Sequence, residues 1–402
     1  MEAVEGREMK PREIKRGVYW VGAIDWDRRL FDALIPLPDG TSYNAYLIRG
    51  SKKTALIDTV DPTMKDVLIN HLDELKVKSI DYVIANHAEK DHSGTIPQVL
   101  EKYSEARLVV TPKCKGMLID LMMIAEDRFI TVDDRESISL GDRTLEFIYA
   151  PWVHWPETML TYLKEDKILF PCDLFGSHLA TTDLYVTNEG RVYEAAKRYY
   201  AEIMMPFRAT IQKNLEKIKS YEISLIAPSH GPLYDKPEFI VKAYNEWVFD
   251  PPKSIVVIAY TSMWGSTRKM VEYLVGALAQ RGVTVQQFDL TVADIGKLAM
   301  ALVDAATVVI GTPTVLAGPH PNAAYATFLA NALRPKLRFV SIIGSYGWGG
   351  KTIEQLAAMI PNLKVEVLEP VLCKGSPREA DFRALDKLAD TIAKRHKEEG
   401  FA

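Results

Sequence analysis

One segment of this 402-residue chain reads Asn86-His87-Ala88-Glu89-Lys90-Asp91-His92-Ser93-Gly94, directly after a run of strand-forming residues at 82–85. Four of its side chains are of metal-ligand type. His87 and Glu89 are two residues apart on extended chain, so they point to the same side. Asp91 and His92 precede a helical run at 94–103, whose N-terminus favours an anionic group. Such a dense group of ligands suits two neighbouring cations better than one.

Three further residues of ligand type follow predicted strands later in the chain. In open α/β sheets, sites assemble at such positions. Any one of the three alone would be an ordinary polar turn residue. However, four of the chain's eight histidines fall within the combined set, which favours a shared metal site. The complete set of candidate ligands is His87, Glu89, Asp91, His92, His154, Asp173 and His230.

The chemistry of this ligand set narrows the choice of metal. Glu89, Asp91 and Asp173 carry three negative charges, which with one hydroxide would neutralise two divalent ions. Oxygen donors mixed with imidazole, without thiolate, suit iron that cycles between two and three positive charges. Zinc and manganese fit the same donors.

The rest of the sequence indicates two domains, because 402 residues exceed the usual size of one. Consecutive prolines at 251–252 interrupt any helix or central strand, so we place the boundary there, with domains at 1–252 and 253–402. The first domain begins with strand-like runs at 18–23, 43–48 and 54–58 and indicates an α/β sandwich of mixed sheets. The second alternates strands and helices, which is typical of a doubly wound parallel sheet.

Three loops after predicted strands of the second domain favour a flavin. The first joins a strand to a helix, where hydroxyl and backbone N–H groups form a cradle for a phosphate dianion. It matches neither dinucleotide nor nucleoside-triphosphate motifs. In the later loops, glycines permit close backbone approach and aromatic rings offer faces for stacking. Each loop alone would be an ordinary turn. The loops are Thr261-Ser262-Met263-Trp264-Gly265-Ser266-Thr267, Thr312-Pro313-Thr314-Val315-Leu316 and Ser345-Tyr346-Gly347-Trp348-Gly349-Gly350.

The motif His-x-Glu-x-Asp-His at 87–92 resembles that of the metallo-β-lactamase superfamily, whose zinc hydrolases usually carry histidine where this chain has Glu89. The form with glutamate resembles the flavodiiron proteins. This resemblance implies a metallo-β-lactamase-like αββα sandwich followed by a flavodoxin-like doubly wound parallel sheet that binds FMN. It implies two non-haem irons: one held by His87, Glu89 and His154, the other by Asp91, His92 and His230, with Asp173 as a bridge.

The resemblance also implies an activity. Electrons would pass from FMN to the diiron site, which reduces dioxygen to water, nitric oxide to nitrous oxide, or both. A head-to-tail homodimer, or a dimer of dimers, would bring one chain's FMN to the other's irons. Two alternatives stay open: a zinc hydrolase fused to a flavodoxin, and an FMN electron carrier with a vestigial metal site.

The amino-acid composition limits the partners that the protein is expected to have. Three cysteines without a CxxC pair exclude a fused rubredoxin-type or iron–sulfur module, so electrons must come from a separate donor: rubredoxin, a reduced deazaflavin or a reductase. The net charge of −4 makes nucleic acid an unexpected partner. The sequence shows neither a secretory signal nor a membrane span, so we expect a cytoplasmic protein.

Overall fold

The computed structural model describes residues 9–401, which form two compact units. Residues 9–200 and 207–244 make the first unit, and residues 201–206 and 245–401 make the second. The helix before the double proline ends at Phe249 and the strand after it begins at Lys253. We retain the boundary near residue 252 as a proposal. Within residues 9–401, no helix combines the length and the apolar character needed to cross a bilayer.

Sixteen strands lie between residues 9 and 226. They are β1 (Arg12–Lys15), β2 (Val18–Trp20), β3 (Ala23–Asp25), β4 (Leu30–Phe31), β5 (Ile35–Pro36), β6 (Thr41–Tyr43), β7 (Tyr46–Arg49), β8 (Thr54–Ile57), β9 (Tyr82–Ile84), β10 (Arg107–Val110), β11 (Phe129–Thr131), β12 (Ser137–Ser139), β13 (Thr144–Tyr149), β14 (Met159–Leu163), β15 (Ile168–Phe170) and β16 (Leu225–Ile226). The α-helices between residues 9 and 249 are α1 (Lys65–Glu74), α2 (Lys90–Ser93), α3 (Ile96–Lys102), α4 (Pro112–Met122), α5 (Glu189–Tyr199), α6 (Arg208–Ile218) and α7 (Pro237–Phe249).

Two sheets pack face to face in the first unit. One has the order β1-β2-β7-β8-β9-β10-β11, and the other has the order β12-β13-β14-β15-β16. Alternation along β8 shows how the layers form: Ile57 packs with Phe147 and Phe170 of the second sheet, whereas Leu56 packs with Leu68 and other residues of the helical layer. The strands β8 to β11 are parallel, so their carboxyl ends share one edge. In the second sheet β13, β15 and β16 run in one direction.

Some predicted elements are interrupted in the structure. The run at 18–23 is split into β2 and β3, because a side chain at Gly22 would meet the carbonyl oxygen of Tyr43 at 2.3 Å and the chain leaves the first sheet there. The run at 43–48 is split between β6 and β7. Between α5 and α6 the chain forms a π-helical turn (Tyr200–Met204) and a 3-10 turn (Met205–Phe207), where Pro206 cannot donate a helical hydrogen bond.

The second unit contains a parallel sheet with helices on both faces. Its strands are β17 (Lys253–Tyr260), β18 (Thr284–Asp289), β19 (Ala305–Val315), β20 (Gly318–Pro319), β21 (Phe339–Tyr346), β22 (Glu366–Val367) and β23 (Val371–Lys374). Its helices are α8 (Ser266–Gln280), α9 (Ile295–Asp304), α10 (Pro321–Leu333), α11 (Thr352–Ala358) and α12 (Glu379–Glu398). The order β18-β17-β19-β21-β22 is that of a doubly wound sheet, as predicted.

Alternate residues of β17 face the two helical layers of this unit. Val256 and Ile258 pack with residues of α8 and α12, and Val257 and Ala259 pack with residues of α9 and α10. A strand buried on both faces is rich in apolar residues, and β17 shows this pattern after Lys253 and Ser254 at its start. The carboxyl ends of β17, β19 and β21 lie side by side and carry the three candidate flavin segments. Residues 312–315 and 345–346 differ from the prediction, because they are the last residues of β19 and β21 and not loop.

Candidate metal centre

The seven candidate ligands of the first unit converge beyond the carboxyl ends of four strands. Each ligand belongs to a short connection that leaves a strand: β9 precedes the first four, β13 precedes His154, β15 precedes Asp173 and β16 precedes His230. Parallel directions put these ends at corresponding edges of the two packed sheets. The side chains are buried, with His154 the most accessible at 12%. This placement agrees with the expectation, drawn from the sequence, that the residues after these strands lie together.

Asp173 divides the ligands into two groups. Its Oδ2 atom lies 3.6 Å from Nε2 of His87 and 3.4 Å from Nε2 of His154. Its Oδ1 atom lies 3.0 Å from Nε2 of His92 and 3.4 Å from Nε2 of His230. The Asp173 carboxylate therefore uses one oxygen for each of two pairs of imidazoles.

The first group adds Glu89 to His87, His154 and Asp173. The Oε2 atom of Glu89 lies 3.1 Å from Nε2 of both His87 and His154. One ligand atom from each of the four residues lies within 4.8 Å of the others. A single ion at the centre of this group would be reached by two imidazole nitrogens and two carboxylate oxygens.

The second group consists of Asp91, His92 and His230. The Oδ1 atom of Asp91 lies 3.3 Å from Nε2 of His92, and its Oδ2 atom lies 3.2 Å from Nε2 of His230. Both oxygens of Asp91 are buried and have no hydrogen-bonding geometry with any residue in the described range 9–401. Buried carboxylate oxygens without donors are costly unless a cation neutralises them. This arrangement fits a metal ion.

The carboxylates of the cluster stabilise positive charge on or near the histidines. Burial disfavours protonation of His154, but hydrogen bonds to Asp173 and Glu89 raise its pKa to about 9. Burial acts in the same way on His230, whose pKa the carboxylates of Asp173 and Asp91 raise to about 10. Protons and metal ions compete for these nitrogens. The carboxylates that raise the two pKa values would equally stabilise bound divalent ions.

Two histidines have partners for the ring nitrogen that points away from the cluster. Nδ1 of His87 lies 2.6 Å from Oε1 of Glu157, and Nδ1 of His230 lies 2.7 Å from the carbonyl oxygen of Ser42. Both acceptors require a proton on Nδ1, which leaves the Nε2 lone pair for a metal. Sequence reasoning missed Glu157 and Ser42. The signal for Glu157 was its place directly after His154-Trp155-Pro156.

Asp58 holds the start of the ligand segment in place. Its Oδ1 atom accepts a hydrogen bond from the backbone nitrogen of Asn86 at 2.8 Å, and its Oδ2 atom accepts one from the Asn86 side chain at 3.0 Å. Thr161 donates to the amide oxygen of Asn86 at 2.7 Å. Burial raises the pKa of Asp58 to about 6. These contacts fix the residue that precedes His87.

His178 is a further neighbour of the cluster. Its ring lies 4.6 Å from the ring of His230 and 5.1 Å from that of Phe31, and its Nδ1 atom is 2.9 Å from Oγ1 of Thr41. Burial and the nearby His230 lower the pKa of His178 well below the usual value. His178 is therefore a neutral side chain that packs behind the second group of ligands.

The flavin loops of the second unit have the features of a ligand cradle. The backbone of Gly265 has φ 87°, and α8 begins at the next residue. Within residues 9–401, the buried hydroxyl oxygen of Thr261 lacks a hydrogen-bond partner, and Thr267 and Ser345 pair through their hydroxyls at 3.1 Å. A side chain at Gly347 would meet no atom within 4 Å. The hydroxyl of Thr261 is therefore suited to bind a phosphate, and the open backbone at Gly347 is suited to contact a planar ring.

Large apolar side chains project from the same loops. Trp264 is 91% exposed, Leu316 is 93% exposed and Trp348 is 82% exposed. Exposed aromatic and aliphatic groups that border a cradle are typical of a binding site for a ring or for another protein.

Two family models match the chain. The model described as ODP family beta lactamase matches residues 41–231, and the flavodoxin model matches residues 258–385. A nitric oxide reductase from Moorella thermoacetica is 37% identical over 396 residues, which cover 96% of this chain and 99% of that protein. The fold predicted from the sequence, a β-lactamase-like domain followed by a flavodoxin-like domain, is confirmed.

Solved structures agree with these matches. The rubredoxin oxygen:oxidoreductase from the anaerobe Desulfovibrio gigas superposes with a TM-score of 0.93 at 30% identity, covering 98% of this chain and 100% of that chain. The flavodiiron protein from Giardia intestinalis gives a TM-score of 0.90 at 28% identity, covering 97% and 98%. The two domains together define an oxidoreductase built from a metal unit and a flavin unit. The chain belongs to the flavodiiron protein family.

Proposed function

We propose that this protein reduces dioxygen to water, nitric oxide to nitrous oxide, or both, at a pair of non-haem irons supplied with electrons by FMN. The observation that carries the proposal is the position of Asp173, whose two oxygens face two separate groups of imidazoles. A shared carboxylate is what two adjacent metal ions need. The names of the similar proteins, a nitric oxide reductase and a rubredoxin oxygen:oxidoreductase, support both substrates.

The roles of the residues follow from the two groups. His87, Glu89 and His154 would hold one iron, and Asp91, His92 and His230 the other, with Asp173 shared. When bound, the two irons supply adjacent electron-donating centres for a diatomic substrate, and FMN supplies electrons to them. Burial of the cluster keeps bulk water away from these groups, and the Nδ1 partners of His87 and His230 keep both rings aimed inward.

The second unit would bind FMN through its three loops. The hydroxyls and backbone N–H groups of Thr261–Thr267 would hold the phosphate at the start of α8. The loops at 312–316 and 345–350 would hold the ring, with Trp348 as the aromatic group available for stacking. The open space at Gly347 supports close approach of the ring to the backbone.

Electrons would enter from outside the chain. Cys114, Cys172 and Cys373 are buried free thiols, so they form no metal-binding cysteine cluster of the rubredoxin type. We propose rubredoxin, a reduced deazaflavin or a reductase as the donor. We also propose a head-to-tail homodimer, or a dimer of dimers, which would cover the exposed Trp264 and Trp348.

Metal and flavin analysis tests this proposal against its alternatives. Protein purified from cells grown with iron should contain two irons and one FMN per chain. Two zinc ions without iron would identify the zinc hydrolase alternative, although Glu89 in place of the usual histidine disfavours it. FMN without any metal would identify the electron carrier with a vestigial site.

A further inference from the structure

Glu157 is a carboxylate that contacts the candidate ligand His87 on the side of the ring that points away from the metal cluster. Its Oε1 atom lies 2.6 Å from Nδ1 of His87, on the side of the ring opposite the cluster. Both side chains are completely buried. The Oε1 atom of Glu157 accepts from two N–H groups, those of the His87 ring and the Ala88 backbone, which is the hydrogen-bonding pattern of a carboxylate oxygen. His87 therefore has a negatively charged partner.

Within residues 9–401, His92 and His230 of the second group have no carboxylate partner at Nδ1. Nδ1 of His230 faces a neutral carbonyl oxygen, that of Ser42. Nδ1 of His92 is buried and has no hydrogen-bond partner within the described part of the chain. A carboxylate that accepts from a ligating imidazole makes the ring a stronger electron donor than a carbonyl does. The two groups of ligands are therefore electronically unequal, although each contains two histidines.

Glu157 is also held rigidly. The same Oε1 atom accepts a hydrogen bond from the backbone nitrogen of Ala88 at 2.9 Å, and the backbone oxygen of Glu157 accepts one from Thr111 at 3.0 Å. One oxygen thus fixes both the ring of His87 and the peptide that leads to Glu89. A group placed in this way controls the tautomer, the direction and the charge of one ligand.

We propose that Glu157 is a positioning residue that holds His87 with Nε2 toward the metal and makes the ion bound by His87, Glu89 and His154 the more electron-rich of the pair. This inference rests on the proposed diiron site. With Glu157 included, the carboxylates at the cluster number four, which match the charge of two divalent ions without a hydroxide. The ferric state of the ion at His87 is then favoured over that of its neighbour.

Two variants separate the hydrogen bond from the charge. Glu157→Gln keeps an oxygen that can accept from His87 and Ala88 but removes the negative charge. Glu157→Ala removes both. A matched control is Glu146→Gln, which makes the same chemical change in β13 at a carboxylate that pairs with Lys164 at 2.6 Å and accepts a hydrogen bond from Tyr221 at 2.5 Å.

The measurements are iron content per chain and the midpoint potentials of the iron pair, read by electron paramagnetic resonance during a reductive titration. We expect Glu157→Ala to bind one iron about 10 to 100 times more weakly. Glu157→Gln should retain two irons and show one midpoint potential shifted to more positive values, because lost negative charge disfavours the ferric state. Glu146→Gln should match the unmodified protein in both.

The possible failures are distinguishable. Two irons and unchanged potentials in both Glu157 variants would overturn the role of Glu157 while leaving the diiron proposal intact. An unmodified protein that binds no iron would overturn the proposed function and this role together. If the alanine variant fails to fold, the potential shift in Glu157→Gln decides alone, because a purely structural role would leave that potential unchanged.

Discussion

The Oδ1 atom of Asp173 lies 3.0 Å from Nε2 of His92, while the other oxygen of the same carboxylate faces the opposite group of histidines. Asp173 is completely buried, and the surrounding imidazoles hold its pKa well below the usual range against the effect of burial. The carboxylate is therefore ionised and available on both sides. This arrangement leads to the first prediction.

Asp173→Asn should abolish the metal pair. Asparagine is similar in size but offers one oxygen and no charge, so it cannot serve both groups. We expect loss of at least one iron, loss of the coupled-iron signal in electron paramagnetic resonance and a fall in gas consumption of more than about 100-fold. Asp39→Asn, at a half-exposed residue that pairs with Arg191 at 3.3 Å, is the control and should retain iron and activity. Full activity with one iron in Asp173→Asn would contradict the bridging role.

Gly265→Val should remove FMN while leaving the metal centre intact. The positive φ of this glycine, 87°, is costly for a β-branched residue, at about 1–2 kcal/mol, and we propose that its loop binds the FMN phosphate. We expect FMN affinity to fall at least about tenfold, measured by flavin fluorescence titration of the apoprotein. Gly276→Ala lies in the same helix in open space and should keep FMN, with stability raised by about 0.5–1 kcal/mol. Unchanged FMN affinity in Gly265→Val would place the phosphate elsewhere.

The stability of the second unit should depend on the protonation of His396. The ring is buried between Thr307, whose Oγ1 is 2.7 Å from Nε2, and Ser254, whose Oγ is 3.1 Å from Nδ1. Burial lowers the pKa of His396 to about 4. The unfolded chain, with an ordinary histidine pKa of about 6.5, takes up a proton first as the pH falls. The stabilising contribution is therefore complete above about pH 6.5 and is lost toward pH 4, by about 2 to 3 kcal/mol.

Urea unfolding at a series of pH values measures this effect. The transition of the second unit in the unmodified protein should move to lower urea as the pH falls from 6.5 to 4. His396→Gln cannot take up the proton, so its transition should depend less on pH over the same interval. Parallel curves for the two proteins would show that His396 does not titrate in the expected way.

The sequence predicted those features of the fold that follow from the regular order of strands and helices. Ligands such as His154 and His230 lie just after strand ends, and the carboxyl ends of strands meet at one edge, so their convergence could be expected from spacing and residue type alone. The alternation of strands and helices after residue 252 identified the doubly wound sheet for the same reason. The assignment of each ligand to one of the two irons stays a prediction.

Partners across long sequence separations were not accessible in this way. Glu157 reaches His87 because the segments after β9 and before β14 are neighbours in space, although 70 residues separate them along the chain. The acceptor for His230 is the backbone carbonyl of Ser42. Every residue has such a carbonyl, so the sequence cannot indicate which one is used. The break at Gly22 likewise depends on the approach of Tyr43 from another strand. Such features follow from packing and not from local pattern.

We propose that the protein reduces a diatomic gas at the iron pair with electrons delivered through FMN. The most direct measurement follows dissolved oxygen and nitric oxide with electrodes after anaerobic reduction of iron-loaded, FMN-replete protein by rubredoxin, a reduced deazaflavin or a reductase. We predict that at least one of the gases is consumed in proportion to the electrons supplied, and that Asp173→Asn consumes neither. Failure of the loaded, reduced protein to consume either gas would contradict the proposed function.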